Sequence, residues 1–176
     1  MAGIPGVKQP QTVTAEGRSI APVPEGVIFR DLTTHTDARG SLVELFSPRW
    51  NWHPDPLAHA YVFTVRPGII KGWGRHAETE DRYANLFGEA MVVLFDGRES
   101  SPTEGMISEV PVSEHHRRLM TIPAGVWHAI ACLGDRDFVG MNFKTIPFDH
   151  ENPDKYTLPL DTHEIPYDFE RLRRSG

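Results

Sequence analysis

The stretch "RYANLFGEAMVVLFDGR", Arg82 to Arg98, contains two short apolar segments on either side of a tight turn at Phe87-Gly88. Both segments are rich in Val, Leu and Phe, as β-strands commonly are. Similar apolar segments, separated by turns with Gly or Pro, continue in both directions from Val27 to Phe143. No long stretch keeps the 3.6-residue period of a capped helix. The sequence therefore predicts an all-β sandwich or barrel.

The two ends of the chain differ from this central part. Residues 1–26 are rich in Pro, Gly, Thr and Ser and predict an N-terminal arm without its own core. Residues 27–146 are predicted to form the barrel. Residues 147–176 contain many prolines and aromatic residues, and we expect them to pack on the barrel as an irregular C-terminal cover. Short helical turns are predicted near Pro48–His53 and Asp168–Arg173.

Composition narrows the class of protein. The 176 residues carry a net charge of −6, which disfavours a nucleic-acid partner because there is no basic excess to neutralise phosphates. The single cysteine, Cys132, excludes an intrachain disulfide and fits a reducing compartment. Neither a signal peptide nor a membrane-spanning apolar run is recognisable, so the expected protein is cytoplasmic and has no membrane partner.

Two segments together suggest one pocket. "IPAGVWHA", Ile122 to Ala129, places Pro and Gly in a turn and then directs His128 from a strand. The period of two puts Val126 and His128 on one face and Trp127 on the other. An inward histidine needs a partner, which can be a ligand, a metal or a carboxylate. A histidine with an ordinary hydrogen bond is the alternative.

"IIKGWGRHAETEDRY", Ile69 to Tyr83, would form the other half of the pocket. A three-ligand metal site could combine His76, His128 and one acidic residue of the run, with Glu80 chosen among Glu78, Glu80 and Asp81. The alternative is a solvated charged loop, as charge runs usually are.

These two segments resemble the motifs of the cupin superfamily, although Gly74 replaces the first His of the usual His-x-His pair. A narrower resemblance covers more of the chain. "DARGSLVELF", "RPGIIKGW", "LFGEAMVVLFDGRESSPTEG" and "IPAGVWHA" resemble, in that order, the dTDP-4-dehydrorhamnose 3,5-epimerase family. The resemblance implies a jelly-roll barrel, usually a homodimer, that holds a nucleotide-sugar in its mouth and needs no metal or other cofactor for catalysis.

The resemblance also implies the chemistry. A base removes an acidic proton beside the sugar's keto group, a cation or donor stabilises the enolate, and an acid returns a proton to the opposite face. In the family the base is a His paired with an Asp, and the acid is a Tyr. The residues that match substrate-binding positions, or that provide the cation, are Arg39, Glu44, Lys71, Arg82 and His128. Asp96 falls in the strand whose Asp orients the base.

The positions of the base and the acid do not match the family. Gly74 stands where the resemblance implies the catalytic His, and the Tyr position falls near Gly140 or Met141. His76 lies two residues after Gly74 on the same predicted face, so it is the candidate for a displaced base.

Three hypotheses stay open at this point. The first is a nucleotide-sugar epimerase of this family, acting on a dTDP-4-keto-6-deoxy sugar or a related 4-keto sugar. The second is a relative that binds a sugar nucleotide or similar anion without catalysis. The third is a metal-dependent cupin enzyme that uses His76 and His128.

Overall fold

Antiparallel strands occupy most of the predicted apolar segments in the computed structural model, which describes residues 6–173. Residues 1–5 of the predicted arm and 174–176 of the predicted cover lie outside that range. The strands within it are β1 (Phe29–Asp31), β2 (Thr34–Asp37), β3 (Gly40–Val43), β4 (His59–Val65), β5 (Ile70–Arg75), β6 (Asp81–Phe87), β7 (Glu89–Asp96), β8 (Ile107–Ser113), β9 (Arg118–Ile122), β10 (Val126–Cys132), β11 (Phe138–Lys144) and β12 (Tyr156–Thr157).

A 3₁₀ turn at Pro48–Trp50 and a short helix α1 at Glu170–Arg173 lie where helical turns were predicted. Within the described range, no helix is long and apolar enough to cross a membrane. Cys132 is buried and unpaired. The cytoplasmic location stays a prediction.

Two five-stranded sheets pack face to face. Their strand orders are β1-β9-β6-β11-β4 and β12-β5-β10-β7-β8, and β2 pairs with β3 as a separate hairpin. The turn at Gly88 leads from β6 in one sheet to β7 in the other, so the two strands are neighbours in sequence without being paired. Gly88 has φ +78°, and a Cβ there would approach the Asp137 carbonyl oxygen to 2.8 Å, so this corner requires glycine.

The space between the sheets is filled by an apolar core that includes Val92, Leu94, Met120 and Val126. A second cluster forms on the outer face of the β12-β5-β10-β7-β8 sheet, where Tyr167 and Phe169 of the C-terminal segment pack near Trp73. At least three hydrogen bonds attach the described part of the N-terminal arm to the barrel, and Arg98 Nη2 donates one of them to the Glu25 carbonyl at 2.8 Å. Ser108 Oγ donates to the Pro22 carbonyl at 2.8 Å, and the Glu25 N–H donates to Thr103 Oγ1 at 2.8 Å. The predicted all-β jelly roll is confirmed, and the bounds of the arm and the cover stay predictions.

Candidate active site

A cavity of about 490 Å³ opens at one end of the sandwich. Strands β4, β5, β6, β10 and β11 line it, and the segment before and within β12 forms one side. Its polar or ionisable lining residues are His59, Tyr61, Lys71, His76, Tyr83, His128, Lys144, Lys155 and Thr157. Because most of them point inward from paired strands, their positions are set by backbone register rather than by a mobile loop.

The Asp81 carboxylate lies behind this cavity at the start of β6 and is only 1% exposed. Asn142 Nδ2 donates to its Oδ1 at 2.8 Å, and the Tyr83 hydroxyl donates to its Oδ2 at 3.1 Å. Asp81 and Tyr83 share the inward face of β6, while Asn142 projects from the neighbouring strand β11. A buried carboxylate with two such donors is fixed in one orientation.

Three basic side chains converge on the same carboxylate. Asp81 Oδ2 is 3.4 Å from His128 Nε2 and 3.5 Å from His76 Nε2, and Asp81 Oδ1 is 3.4 Å from Lys144 Nζ. Lys144 Nζ also lies 3.2 Å from His76 Nε2. All four groups are at least nine-tenths buried. One acidic and three basic side chains therefore lie close together at the floor of the cavity, and we call these four residues the Asp81 cluster.

Burial and charge act in opposite directions within this cluster. Burial raises the pKa of Asp81, but His128, His76 and Lys144 together hold that pKa below its ordinary value. Burial lowers the pKa of His128 more than the Asp81 charge raises it, so this imidazole tends toward its neutral form. Asp81 is thus the fixed negative charge of the site.

Asp154 positions the His76 ring on the side away from Asp81. The His76 Nδ1 atom is hydrogen-bonded to the Asp154 carbonyl oxygen, which only accepts, so Nδ1 carries a proton. The Asp154 carboxylate in turn accepts from the N–H groups of Ala77 (2.7 Å), Glu78 (3.0 Å) and Thr79 (2.9 Å). Burial opposes ionisation, but these donors lower the pKa of Asp154 to about 2. Asp154 therefore fixes the turn after β5 and the His76 tautomer together.

A tyrosine lines the cavity next to Asn142, but it comes from strand β4. Tyr61 pairs with Asn142 across the β4–β11 ladder, and its oxygen accepts from Asn142 Nδ2 at 2.9 Å. Burial and the Asp81 charge raise the Tyr61 pKa, which keeps the hydroxyl protonated at neutral pH. Around Gly140, where the resemblance implied a tyrosine, a Cβ would come within 2.5 Å of the Phe63 ring, so a side chain there would require that ring to move.

Gly74 lies directly across the β5–β10 ladder from His128. A Cβ at residue 74 would stand 3.7 Å from His128 Nε2, which is an ordinary contact, and its φ is not in the left-handed region. The glycine therefore does not relieve backbone strain. It leaves open space in front of the imidazole, inside the cavity.

Three of the residues singled out from the sequence do line the cavity, namely Lys71, His76 and His128. Asp96 lies elsewhere and corrects our expectation. Its carboxylate accepts from Arg98 Nε (2.8 Å), Ser101 Oγ (2.7 Å) and Thr103 Oγ1 (2.6 Å), all within its own loop. Strand β7 directs the Asp96 side chain into the turn that follows the strand, so Asp96 does not contact His76. The carboxylate next to His76 is Asp81.

Glu80, which directly precedes β6, and Arg82, its second residue, also lie elsewhere, because both point away from Asp81 toward His53. Glu80 Oε2 is 2.6 Å from His53 Nε2, and Arg82 Nη2 is 3.0 Å from His53 Nδ1. Alternation along the strand explains both placements. The carboxylate beside His76 and His128 is thus Asp81 rather than Glu80, and the buried cation beside His76 is Lys144 rather than Arg82.

Arg39 and Glu44 are exposed at and after the β2–β3 hairpin, outside the cavity of their own chain. Arg39 Nη2 pairs with Asp37 Oδ2 at 2.6 Å. Sequence reasoning missed Tyr61, Asn142, Lys144 and Asp154, and weighed Asp81 without choosing it. The available signal was alternation in "MNFK", which puts Asn142 and Lys144 on one face.

A divalent metal ion has one plausible set of ligands within this cavity. One ligand atom each from His76, Asp81 and His128 lie within 4.8 Å of one another, and two imidazoles with a carboxylate are a donor set that zinc accepts. Lys144 Nζ, however, is 3.4 Å from the same carboxylate and already supplies a positive charge there. A bound metal would have to compete with that ammonium group.

Comparisons with known proteins agree with this architecture. The sequence model of the polysaccharide biosynthesis C-terminal domain family matches residues 35–156. The "probable low-salt glycan biosynthesis epimerase Agl13" of Haloferax volcanii is 36% identical over 81% of this chain and 92% of that protein. The spore coat polysaccharide biosynthesis protein SpsL of Bacillus subtilis is 30% identical over 82% of this chain and 95% of that protein.

Solved structures of sugar-nucleotide enzymes superpose on this fold. A dTDP sugar isomerase from Desulfovibrio desulfuricans superposes with a TM-score of 0.78 at 27% identity, covering 87% of this chain and 94% of that one. The dTDP-6-deoxy-D-glucose-3,5-epimerase RmlC of Legionella pneumophila superposes with a TM-score of 0.70 at 20% identity, covering 81% and 77%, and shares the fold. The chain belongs to the polysaccharide biosynthesis C-terminal domain family, within the cupins related to dTDP-4-dehydrorhamnose 3,5-epimerase.

Proposed function

We propose that this protein is a sugar-nucleotide epimerase that exchanges a proton beside the keto group of a 4-keto sugar. The supporting observation is the 3.2 Å separation of His76 Nε2 and Lys144 Nζ above the buried Asp81 carboxylate. In a ketone the acidic C–H and the carbonyl oxygen are on adjacent atoms. A base and an enolate-stabilising cation must therefore lie within a few ångströms of each other, as these two groups do.

His76 acts as the base in this proposal. Its Nδ1 proton is committed to the Asp154 carbonyl, so the electron pair is on Nε2, toward the cluster. When Nε2 takes the substrate proton, the imidazolium lies 3.5 Å from Asp81 Oδ2, which stabilises the new charge. Lys144, whose ammonium group lies within 3.5 Å of both ring nitrogens of His76, donates a hydrogen bond to the substrate's carbonyl oxygen and stabilises the enolate.

Tyr61 is the proposed proton donor. Its oxygen accepts from Asn142, which leaves the hydroxyl hydrogen free to point at a ligand. Its raised pKa keeps that hydrogen in place until the enolate needs it. His128, with Gly74 opposite, is proposed to contact the sugar in the open space between them.

The nucleotide part is proposed to bind at the cavity rim. Lys71 and Lys155 are both exposed and both line the cavity, and two ammonium groups suit a diphosphate. Arg39 and Glu44 do not line this cavity. If they contact the nucleotide, they do so from the second copy of a homodimer, which light scattering can detect.

The experiment is proton NMR in D₂O with dTDP-4-keto-6-deoxyglucose and a UDP-linked 4-keto sugar. We expect deuterium at C3 or C5 with the wild type, loss of exchange in His76→Asn, and normal exchange in the control His163→Asn, whose histidine is exposed. Binding without exchange in the wild type would favour a non-catalytic relative. Exchange that survives in His76→Asn would remove His76 as the base.

A metal-dependent enzyme is the second candidate, because the ligand atoms of His76, Asp81 and His128 converge. It predicts stoichiometric metal in the purified protein and loss of exchange after chelation. Metal that persists in His76→Asn, or exchange that survives chelation, would exclude it.

A further inference from the structure

A second cavity lies away from the active site. Its volume is about 710 Å³, and it lies between β1, an edge strand of one sheet, and β8, an edge strand of the other. Residues 17–19 of the N-terminal arm form part of its wall. None of its lining residues lines the active-site cavity. It needs its own explanation, and we call it the arm cleft.

Positive charge dominates the arm cleft in a protein whose net charge is −6. Arg18, Arg30 and Arg118 line it. The one acidic lining residue, Asp31, is 3.2 Å from His116 Nε2, a lining histidine that can balance it when protonated. Three guanidinium groups therefore face one cleft with little negative charge to compensate them.

Two buried donor atoms of residues that line the arm cleft have no acceptor. Arg30 Nε and Trp52 Nε1 are buried and have no hydrogen-bond partner, although the Arg30 guanidinium lies 4.2 Å from the centre of the Trp50 ring. Arg118 makes one side-chain hydrogen bond, to the Pro111 carbonyl at 3.0 Å. Burial lowers the Arg118 pKa more than the nearby Asp31 raises it. Buried donors without acceptors are unfavourable unless something else binds them.

We propose that the arm cleft binds a phosphate-type oxyanion, either free or as the diphosphate of a small molecule. Guanidinium groups present paired N–H donors that match phosphate oxygens. Such an anion would be bound by the guanidinium groups of Arg18, Arg30 and Arg118 and would offset the burial of Arg118. This site is independent of the proposed epimerase activity and of the Asp81 cluster.

The test uses the indole N–H signals of the four tryptophans in ¹H–¹⁵N NMR spectra of the full chain, titrated with inorganic phosphate, pyrophosphate and UDP. Trp52 reports on the arm cleft, and Trp73, which lines the other cavity, reports on the active site. We expect saturable shifts of Trp52 with pyrophosphate. Equal affinity for UDP would point to the anion alone, and tighter binding of UDP to a nucleotide.

The matched variants are Arg30→Gln and the exposed control Arg66→Gln. We expect about tenfold weaker binding in Arg30→Gln, because a charged hydrogen bond is lost, and wild-type binding in Arg66→Gln. Arg18→Gln, on the arm, provides a second variant that does not touch a strand. A Trp52 signal that stays fixed while Trp73 shifts, or Arg30→Gln and Arg18→Gln that both titrate like wild type, would overturn the proposal.

Discussion

Replacing Asp81 by Asn is the most selective perturbation of the Asp81 cluster. The change keeps the shape of the side chain and removes the one negative charge among His76, His128 and Lys144. At 3.4 Å from Lys144 Nζ, and with an effective dielectric constant of about 20, the lost attraction is about 5 kcal/mol. Breaking a buried pair in this way typically costs roughly 3–5 kcal/mol of unfolding free energy. A domain of ordinary stability has about 5–15 kcal/mol in total, so Asp81→Asn is expected to be marginally folded.

A double-mutant cycle separates this electrostatic effect from a general loss of packing. Lys144→Met alone leaves Asp81 with its hydrogen bonds from Asn142 and Tyr83, so a smaller loss is expected. The double variant Asp81→Asn/Lys144→Met has neither charge, and its stability should exceed the value expected from adding the two single losses by roughly 1–3 kcal/mol. Urea unfolding at pH 7 measures all four proteins.

The pH dependence gives an independent check with a definite sign. The folded pKa of Asp81 lies below its ordinary value of 3.8. Its stabilisation is therefore fully present above pH 3.8 and is lost as the pH falls through the lower folded value. Wild type should lose stability in acid more steeply than Asp81→Asn. A loss below about 1 kcal/mol in Asp81→Asn, or strict additivity in the cycle, would refute the charge-balance reasoning.

Further variants test the remaining parts of the site. Asp154→Ala keeps the backbone carbonyl that accepts from His76 but removes the carboxylate that fixes the turn after β5. It should lower kcat up to about a hundredfold by loosening the turn that carries His76, while Asp149→Ala, an exposed capping residue in the same segment, should behave like wild type. Tyr61→Phe should reduce formation of the epimerised product about a hundredfold while deuterium exchange continues, because the base is intact; equal loss of both would contradict a donor role. Gly74→Val should raise KM by filling the space in front of His128, with the melting temperature little changed. Dialysis against a chelator should leave exchange unchanged, as mass spectrometry of the metal content can check.

The sequence identified the strands well because alternation and turn residues are local signals. It could not settle which acidic residue of "AETED" faces inward. The turn after β5 has no period of its own, so the parity of β6 is fixed only by its pairing with β9 and β11. One residue of difference moves the carboxylate from Glu80, beside His53, to Asp81, beside the two catalytic candidates. The same parity turns Arg82 away from the cavity, and the nearby cation is Lys144 of β11.

Asp96 shows a different limit. The run "FDGRESSPTEG" is recognisable as a motif, but a motif does not reveal whether its aspartate faces a ligand or caps its own turn. Here Arg98, Ser101 and Thr103 supply all the donors from within seven residues. Those hydrogen bonds hold the Asp96 pKa well below its ordinary value despite burial. Local capping fully accounts for this residue.

The construction of a jelly-roll cavity explains how this chain can lack the family's His at residue 74 and its Tyr near residue 140. Neighbouring strands are only about 4.8 Å apart, so a side chain missing from one strand can be replaced from the next. Tyr61 on β4 occupies the region near Asn142 on β11, and His76 approaches the space that Gly74 leaves empty. The chemistry requires a base, a cation and a donor around one carbonyl group, and it does not prescribe the strand from which each comes. A residue-by-residue match along the chain therefore misses a functional side chain that comes from a neighbouring strand. The strand register identifies such a side chain.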